Sequence, residues 1–267
     1  MFSWLKKEYE IYKLINHKVE IPNGFRNIPK IELSPYEILV GESYGKPLIV
    51  NMKSTPHLLI TGLSGQGKSK MVNCIIRTLN KNTRAVLING FAEDYEKGIR
   101  NIIGDENISK FLSQLLEDKK LQKNPLYIVL EEIGTIQDKK ILKMISELLM
   151  MGRHYNIFII GIIQVSRAED IKFKTFFNAR ISFRQVDSSS YGVALGCSIP
   201  KEDSHLSKRE FYLLTDNLYK GKTYNINWRN EEWNSERRPL LNLGLINGRV
   251  NDWTRNDGND TYKGYLI

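Results

Sequence analysis

The sequence predicts an α/β protein in which helices flank a mostly parallel central sheet. Short apolar runs of strand length recur along the chain, and stretches whose apolar residues repeat at helical spacing lie between them. A glycine-rich loop also separates the first of these strands from the first of these helices. Strands that alternate with helices form parallel sheets covered on both faces.

The elements of this pattern begin at Pro56, after two short apolar runs that flank residues 41–45 and predict a β-hairpin. The predicted strands cover residues 58–60, 85–88, 126–130, 157–163, 180–184, 211–214 and 223–226. The predicted helices cover about residues 69–79, 107–121 and 139–152. We therefore expect an N-terminal extension with the hairpin over residues 1–54, an α/β domain over 55–227 and a polar C-terminal tail or arm over 228–267.

The composition allows a sizeable core and favours a phosphate-bearing partner. Of the 267 residues 41% are hydrophobic, which argues against wholesale disorder. The formal net charge of +9 and the isoelectric point near 9.3 suit nucleic acid or an anionic membrane surface. A solvated basic surface explains the charge equally well, so charge ranks the hypotheses without deciding between them.

Cysteine content and apolar runs bear on the compartment. Cys74 and Cys197 lie far apart without metal-ligand spacing, which argues against a disulfide scaffold or zinc site and favours a reducing compartment. The N-terminus lacks the apolar region of a signal peptide, and the chain has no run of 18 apolar residues. We expect a cytoplasmic protein without a transmembrane segment.

The strongest local motif matches the pattern G-x-x-x-x-G-K-[ST] of phosphate-binding P-loops. Its residues are Gly62, Leu63, Ser64, Gly65, Gln66, Gly67, Lys68 and Ser69. In such a loop backbone N–H groups point at phosphate oxygens, Lys68 reaches the β- and γ-phosphates, and the Ser69 hydroxyl can bind Mg²⁺. An ordinary glycine-rich turn is the alternative, but this motif lies between a strand and a helix, as phosphate binding requires. The sequence therefore predicts an ATP and Mg²⁺ site.

Polar residues follow two later strands. Glu131 and Glu132 end the strand at 126–130, where P-loop ATPases place an acid that supports Mg²⁺ and a glutamate that activates water. We assign Glu131 to the metal side and Glu132 as the general base. Gln164 follows the strand at 157–163 and can sense the γ-phosphate or orient water. In isolation, such acids are more often a loop start or helix cap, and such a glutamine carries no meaning.

Longer segments resemble the motor domain of FtsK/SpoIIIE DNA translocases. That family has a "GKP" strand, a "PHLL" sequence leading into its P-loop, and an "RIAFR" strand followed by an Asp-Ser pair. The matching residues here are 44–50, 55–69, 131–132, 152–157, 164, 178–184 and 187–190. The likeness covers about residues 42–224, and the "GKP…PHLL" lead-in and the "ARISFR" segment distinguish this branch from other P-loop proteins.

The resemblance implies a RecA-like ATPase motor domain over residues 55–227 that assembles as a hexameric ring around double-stranded DNA. It also implies an arginine that reaches into the ATP site of a neighbouring subunit and offsets transition-state charge. The positions considered are Arg180 first, then Arg153 and Arg184. Each has a plain alternative as a surface ion-pair residue.

Two departures from the family pattern affect the functional prediction. Glu131 stands where the family has aspartate and is one methylene longer, which can displace its contact with Mg²⁺. The sequence also lacks the transmembrane helices and winged-helix module of the large chromosomal translocases. We therefore expect a compact motor of a plasmid, an integrative element or a phage.

Three functions remain open at this level. The first is an ATP-dependent double-stranded DNA translocase of a mobile genetic element, acting in conjugative transfer or replication with a relaxase, replication initiator or membrane-channel partner. The second is a genome-packaging ATPase docked on a phage capsid. The third is a nucleotide-dependent switch or adaptor in which the change at Glu131 reduces hydrolysis.

Overall fold

A twisted central sheet organises the computed structural model, which describes residues 26–95, 99–118, 123–164, 173–226, 245–246 and 249–250. Its strands are β1 (Glu37–Ser43), β2 (Lys46–Asn51), β3 (Leu58–Thr61), β4 (Arg84–Ile88), β5 (Arg100–Ile102), β6 (Leu126–Leu130), β7 (Ile157–Ile163), β8 (Ala179–Phe183), β9 (Glu210–Leu214) and β10 (Leu218–Lys222). Two short strands, β11 (Leu245–Ile246) and β12 (Arg249–Val250), pair separately. The helices are α1 (Lys68–Thr78), α2 (Asp105–Asp118), α3 (Lys139–Met151) and α4 (Ser188–Leu195).

The sheet combines a parallel part with an antiparallel part. Its strand order is β2-β1-β10-β9-β8-β3-β7-β6-β4-β5. The strands from β8 to β5 are parallel, whereas β9, β10, β1 and β2 continue the sheet by antiparallel pairing. The mostly parallel sheet that the sequence predicts is confirmed. The predicted hairpin is β1 with β2, and its pairing with β10 makes it continuous with the central sheet.

Helices cover both faces of the parallel strands. Along β7, Phe158 and Ile160 belong to the buried layer that includes apolar residues of α1. Ile157 and Ile159 belong to the opposite layer, which includes α2 and α3. Successive side chains of a strand point to opposite faces, so a strand buried on both faces is a continuous apolar run. This explains why β6 and β7 are readily recognised in the sequence.

The predicted strand at residues 223–226 is wrong. The chain instead forms β10 at Leu218–Lys222, which pairs with β9 across a short turn. In the 223–226 segment, an isolated bridge joins Asn225 to Asn27. Tyr224 and Ile226 are nevertheless buried in one cluster with Cys74 of α1, so their apolar character reflects packing beside α1 rather than strand pairing. The mixed sequence Leu-Tyr-Lys-Gly-Lys concealed the true strand, and the three-residue β5 was also missed.

Some of the predicted segments lie outside these residues. Most of the predicted helix and irregular stretch in 1–30 and most of the tail over 228–267 fall there. Within the described part of the chain, no helix combines the length and apolar character needed to cross a bilayer.

Candidate functional site

The P-loop connects β3 to α1, with Lys68 as the first helical residue. Gly62 has a φ of 138°, and a Cβ atom there would lie 2.6 Å from the Cβ of Phe183. Gly65 has a φ of 73°, and a Cβ there would meet no heavy atom within 4 Å. The first glycine thus permits close packing on β8, and the second leaves the backbone of the loop open to a ligand.

Lys68 is held inside this loop. Its ammonium Nζ donates hydrogen bonds to the carbonyl oxygens of Gly62, at 2.7 Å, and Leu63, at 3.0 Å. Burial lowers the pKa of Lys68, whereas the negative charges of Glu132 and Glu131 act in the opposite direction. The side chain therefore lies within electrostatic reach of both predicted catalytic carboxylates.

Two other strands hold the P-loop through its backbone. The amide of Leu63 donates to the carbonyl of Arg184, just after β8, at 3.0 Å. The amide of Arg209 donates to the carbonyl of Gln66 at 2.9 Å. Arg209 is partly buried and contacts Gly67 closely enough that a Cβ added there would lie 3.1 Å from its Cγ. The conformation of this loop therefore depends on the segments next to β8 and β9 as well as on its own glycines.

Arg209 is a site residue that sequence reasoning missed. Its φ of 73° is uncommon for a residue with a side chain. Its guanidinium donates to the Thr223 hydroxyl at 2.9 Å and also to the carbonyl of Tyr224. These contacts connect the P-loop to the segment that follows β10. The only sequence signal at this position is the Lys-Arg pair in the turn before β9, and such a pair does not indicate any particular function.

Glu131 and Glu132 follow β6 as predicted, but their surroundings differ. The hydroxyl of buried Tyr95 donates a hydrogen bond to the carboxylate of Glu131. Burial raises the pKa of Glu131 to about 7, the charge of Glu132 adds to this, and the charge of Lys68 opposes it. Glu132 is partly exposed and has a left-handed backbone with φ of 50°.

Gln164 follows β7, which lies between the P-loop strand β3 and the carboxylate strand β6. Thr61 pairs with Ile163 at the end of the ladder, so Gln164 and Gly62, the first residue of the P-loop, each come directly after the last pair. The side chain of Gln164 is exposed. The P-loop, Gln164 and the pair Glu131–Glu132 therefore follow three adjacent strands at the carboxyl edge of the sheet. Parallel sheets usually bind their ligands at this edge.

The three arginines considered for a role between subunits lie at different places along the sheet. Arg153 is exposed in a short turn before β7, at the amino edge of the sheet, whereas exposed Arg184 follows β8 beside its own P-loop. Arg180 is on β8, and its guanidinium donates to the carbonyls of Phe177, at 3.0 Å, and Leu195, at 2.9 Å. Burial lowers the pKa of Arg180. Arg180 therefore binds the carboxyl end of α4 in its own subunit, where a cation is electrostatically favourable.

The donor set at this edge fits a nucleotide with a hard cation. The open backbone at Gly65, the ammonium of Lys68 and the amino end of α1 suit phosphate oxygens. Ser69 and Glu131 carry oxygen atoms of the kind that Mg²⁺ prefers, and phosphates usually provide further ligands. The fold and the motif together define a P-loop ATPase.

Comparison with known proteins supports this class. The chain is 40% identical over 73 residues to the DNA translocase FtsK of Helicobacter pylori strain J99, a match that covers 23% of this chain and 9% of that protein. It is 32% identical over 120 residues to the teichoic acids export ATP-binding protein TagH of Lactiplantibacillus plantarum, covering 43% of this chain and 31% of that protein. The chain thus spans only a minor part of these relatives. No protein-family profile matches it.

Solved structures show the same fold. The pCW3 conjugation coupling protein TcpA, in a monomer form with ATPγS, is similar with a TM-score of 0.68 and 18% identity over 77% of this chain and 70% of that one. ATPases 2 and 3 of Thermomonospora curvata EccC give a TM-score of 0.61 and 14% identity over 78% and 44% of the two chains. The RecA-like P-loop ATPase fold is therefore established, and with the FtsK match these likenesses confirm the resemblance to an FtsK-type motor domain.

Proposed function

We propose that this chain hydrolyses ATP to move double-stranded DNA, as the motor of a mobile genetic element. One observation carries the proposal: the P-loop, Gln164 and the pair Glu131–Glu132 directly follow three adjacent strands at the same edge of the sheet. The partial likeness to FtsK, a DNA translocase, and the fold shared with TcpA, a conjugation coupling protein, support DNA as the substrate that is moved.

The site residues have distinct roles in this proposal. Lys68 and the P-loop amides bind the β- and γ-phosphates of ATP and offset their charge. Glu132 accepts a proton from the attacking water, and Gln164 orients that water or senses the γ-phosphate. Ser69 and Glu131 would hold Mg²⁺, which would supply additional charge compensation for the phosphates. Because hydrolysis mainly needs positioning and charge stabilisation, fixed strand ends are suitable carriers of these groups.

The proposed motor domain covers residues 55–227, with the N-terminal extension before it and an arm over 228–267. We propose that it works as a ring, a hexamer by resemblance to the family, in which an arginine completes the ATP site of the next subunit. The net charge of +9 suits duplex phosphates in the pore. Conjugative transfer or replication with a relaxase, initiator or channel protein is the favoured context, and genome packaging is the alternative.

A nucleotide-dependent switch is a second candidate, which one observation favours. Glu131 is one methylene longer than the aspartate of the FtsK family at this position, and its carboxylate already accepts a hydrogen bond from the hydroxyl of Tyr95. A site of this kind can bind nucleotide and hydrolyse it slowly. The switch predicts nucleotide binding without stimulation of hydrolysis by DNA.

The deciding experiment measures ATP hydrolysis with and without duplex DNA, together with the mass of the assembly in solution. We expect duplex DNA to increase turnover severalfold and to favour the larger assembly. Lys68→Ala is the control, because it removes the ammonium that faces the phosphates and should abolish hydrolysis in both conditions. Binding of ATP by the wild-type protein with the same slow turnover at every DNA concentration would instead support the switch.

A further inference from the structure

Tyr95 connects a distant turn of the chain to the metal side of the site. It follows the short turn Ala92–Asp94, which comes after β4, and only 1% of its surface is exposed. Its hydroxyl donates a hydrogen bond to Oε1 of Glu131. The ring packs in the apolar layer between the sheet and α1. A buried aromatic ring has few accessible rotamers, so its hydroxyl is a fixed point for the carboxylate.

Asn73 ties the same turn to the P-loop helix. This fully buried residue of α1 donates from Nδ2 to the carbonyl of Ser69 at 2.9 Å and to that of Asp94 at 2.7 Å. Ser69 and Glu131 are the two proposed magnesium ligands. A continuous path of hydrogen bonds and one peptide linkage therefore runs from Ser69 through Asn73, Asp94 and Tyr95 to Glu131.

We propose that Tyr95 is a positioning residue that orients Glu131 toward Mg²⁺, a role that rests on the proposed function. Glutamate has one more rotatable bond than the aspartate of the FtsK family at this position. A hydrogen bond to one carboxylate oxygen limits that extra freedom and leaves the other oxygen for the cation. Groups that orient metal ligands in this way typically change metal affinity by about 10- to 100-fold when they are removed.

The test compares Tyr95→Phe with a matched control, Tyr127→Phe. Tyr127 is also a buried tyrosine, it lies on β6, the strand that Glu131 follows, and its hydroxyl donates to the carbonyl of Pro35 at 2.9 Å. Both substitutions keep the ring and remove one hydroxyl hydrogen bond. Only the first removes a contact with Glu131, so an effect of stability alone should appear in both variants.

The measured quantity is the Mg²⁺ concentration that half-saturates binding of fluorescent ATP, with nucleotide binding in EDTA and thermal unfolding measured alongside. We expect Tyr95→Phe to raise the half-saturating Mg²⁺ concentration about tenfold, within the range for such groups. Binding in EDTA should stay at the wild-type value. Tyr127→Phe should leave the Mg²⁺ dependence unchanged.

Glu131→Asp supplies a second, independent arm. The shorter carboxylate should not reach both Tyr95 and the cation, so adding Tyr95→Phe to Glu131→Asp should cause little further change. An equal shift in both backgrounds, or wild-type Mg²⁺ dependence in Tyr95→Phe, would overturn the role of Tyr95 alone. If the wild-type protein shows no Mg²⁺-dependent nucleotide binding, the proposed function fails and this role fails with it.

Discussion

At the scale of single residues, Glu131 and Glu132 are neighbours in the chain with different environments. Glu131 contacts the hydroxyl of Tyr95, and burial raises its pKa to about 7. Glu132 has the left-handed backbone that turns the chain out of β6, and its carbonyl accepts from the amide and hydroxyl of Thr135. The two carboxylates therefore have different surroundings, which suits the proposed roles of Glu131 at the metal and Glu132 at the water.

Substitution of each carboxylate by its amide should separate these roles. Glu132→Gln keeps the shape but cannot accept the water proton, so we expect normal ATP binding and hydrolysis at least about a hundredfold slower. Glu131→Gln should instead weaken Mg²⁺-dependent ATP binding, since the amide lacks the negative charge. Equilibrium binding and single-turnover hydrolysis measure the two effects, and interchanged phenotypes would reverse the assignments.

The sequence predicts these residues because their chemistry is local in the chain. The eight P-loop residues are contiguous, and Glu131 and Glu132 directly follow a strand with an unbroken apolar sequence. Tyr95 and Arg209 could not be predicted in this way. Tyr95 reaches Glu131 from 36 positions away, and Arg209 reaches Gln66 after a change of strand direction. Such contacts arise from packing and have no spacing rule.

At the scale of elements, the end of β8 and the base of the P-loop form one polar unit. Buried Gln185 donates from Nε2 to the hydroxyls of Thr61, at 3.0 Å, and Ser182, at 2.8 Å. The carbonyl of Arg184 accepts from the amide of Leu63 in the same region. Buried polar groups that satisfy one another fix a unique arrangement. These bonds therefore hold the base of the P-loop and the end of β8 in one arrangement.

His57 links β3 to β7 and should make folding stability depend on pH. Its Nδ1 accepts from the amide of Ile159 at 3.0 Å, and burial lowers its pKa from 6.5 to about 4. Between pH 6.5 and 4 the histidine binds a proton more readily in the unfolded chain than in the folded one. Its contribution to folding stability is therefore fully present above pH 6.5 and is lost as the pH falls toward 4. The full shift corresponds to about 3 kcal/mol.

His57→Asn tests this link, because an asparagine oxygen can accept from the same amide and asparagine tolerates the φ of 63°. Chemical denaturation across the window should show that the wild-type protein loses more stability than the variant as pH falls. Parallel pH profiles for the two proteins would contradict the role of His57. Glu131 contributes in the opposite direction, because its raised pKa makes stability fall as pH rises. This contribution is the same in the wild-type protein and in His57→Asn, so it cancels when the two are compared.

The first and last residues of a strand could be predicted from the sequence where both faces of the strand are buried. Strands β6 and β7 match the predicted residues 126–130 and 157–163 because every residue in them is buried. Strand β10, in the antiparallel part of the sheet, mixes buried and half-buried residues and contains two lysines, so it lacks that signal. The apolar residues at 223–226 were misleading because they pack against α1 without strand pairing.

At the scale of the whole molecule, the position of each arginine relative to its own P-loop affects its proposed role. Strand β7 has seven residues, so its two ends are about 20 Å apart. Arg153, before the amino end of β7, lies on the edge away from its own ATP site. A group that serves a neighbouring subunit must lie away from its own site, which favours Arg153 and Arg180 over Arg184. The contacts of Arg180 with Phe177 and Leu195 also give it a role within its own chain.

Mixed assemblies should identify the arginine that acts between subunits. If the ATP site is completed across an interface, specific activity should rise with protein concentration, and Lys68→Ala mixed with an arginine variant should recover activity. Recovery is expected because an intact P-loop on one subunit can then meet an intact arginine on the next. Arg180→Ala and Arg153→Ala are each tested this way, with thermal unfolding as a control because loss of Arg180 also removes its contacts with α4. Recovery with one variant in verified mixed rings would assign the role to that arginine, whereas full activity of a demonstrably monomeric sample would contradict the ring motor.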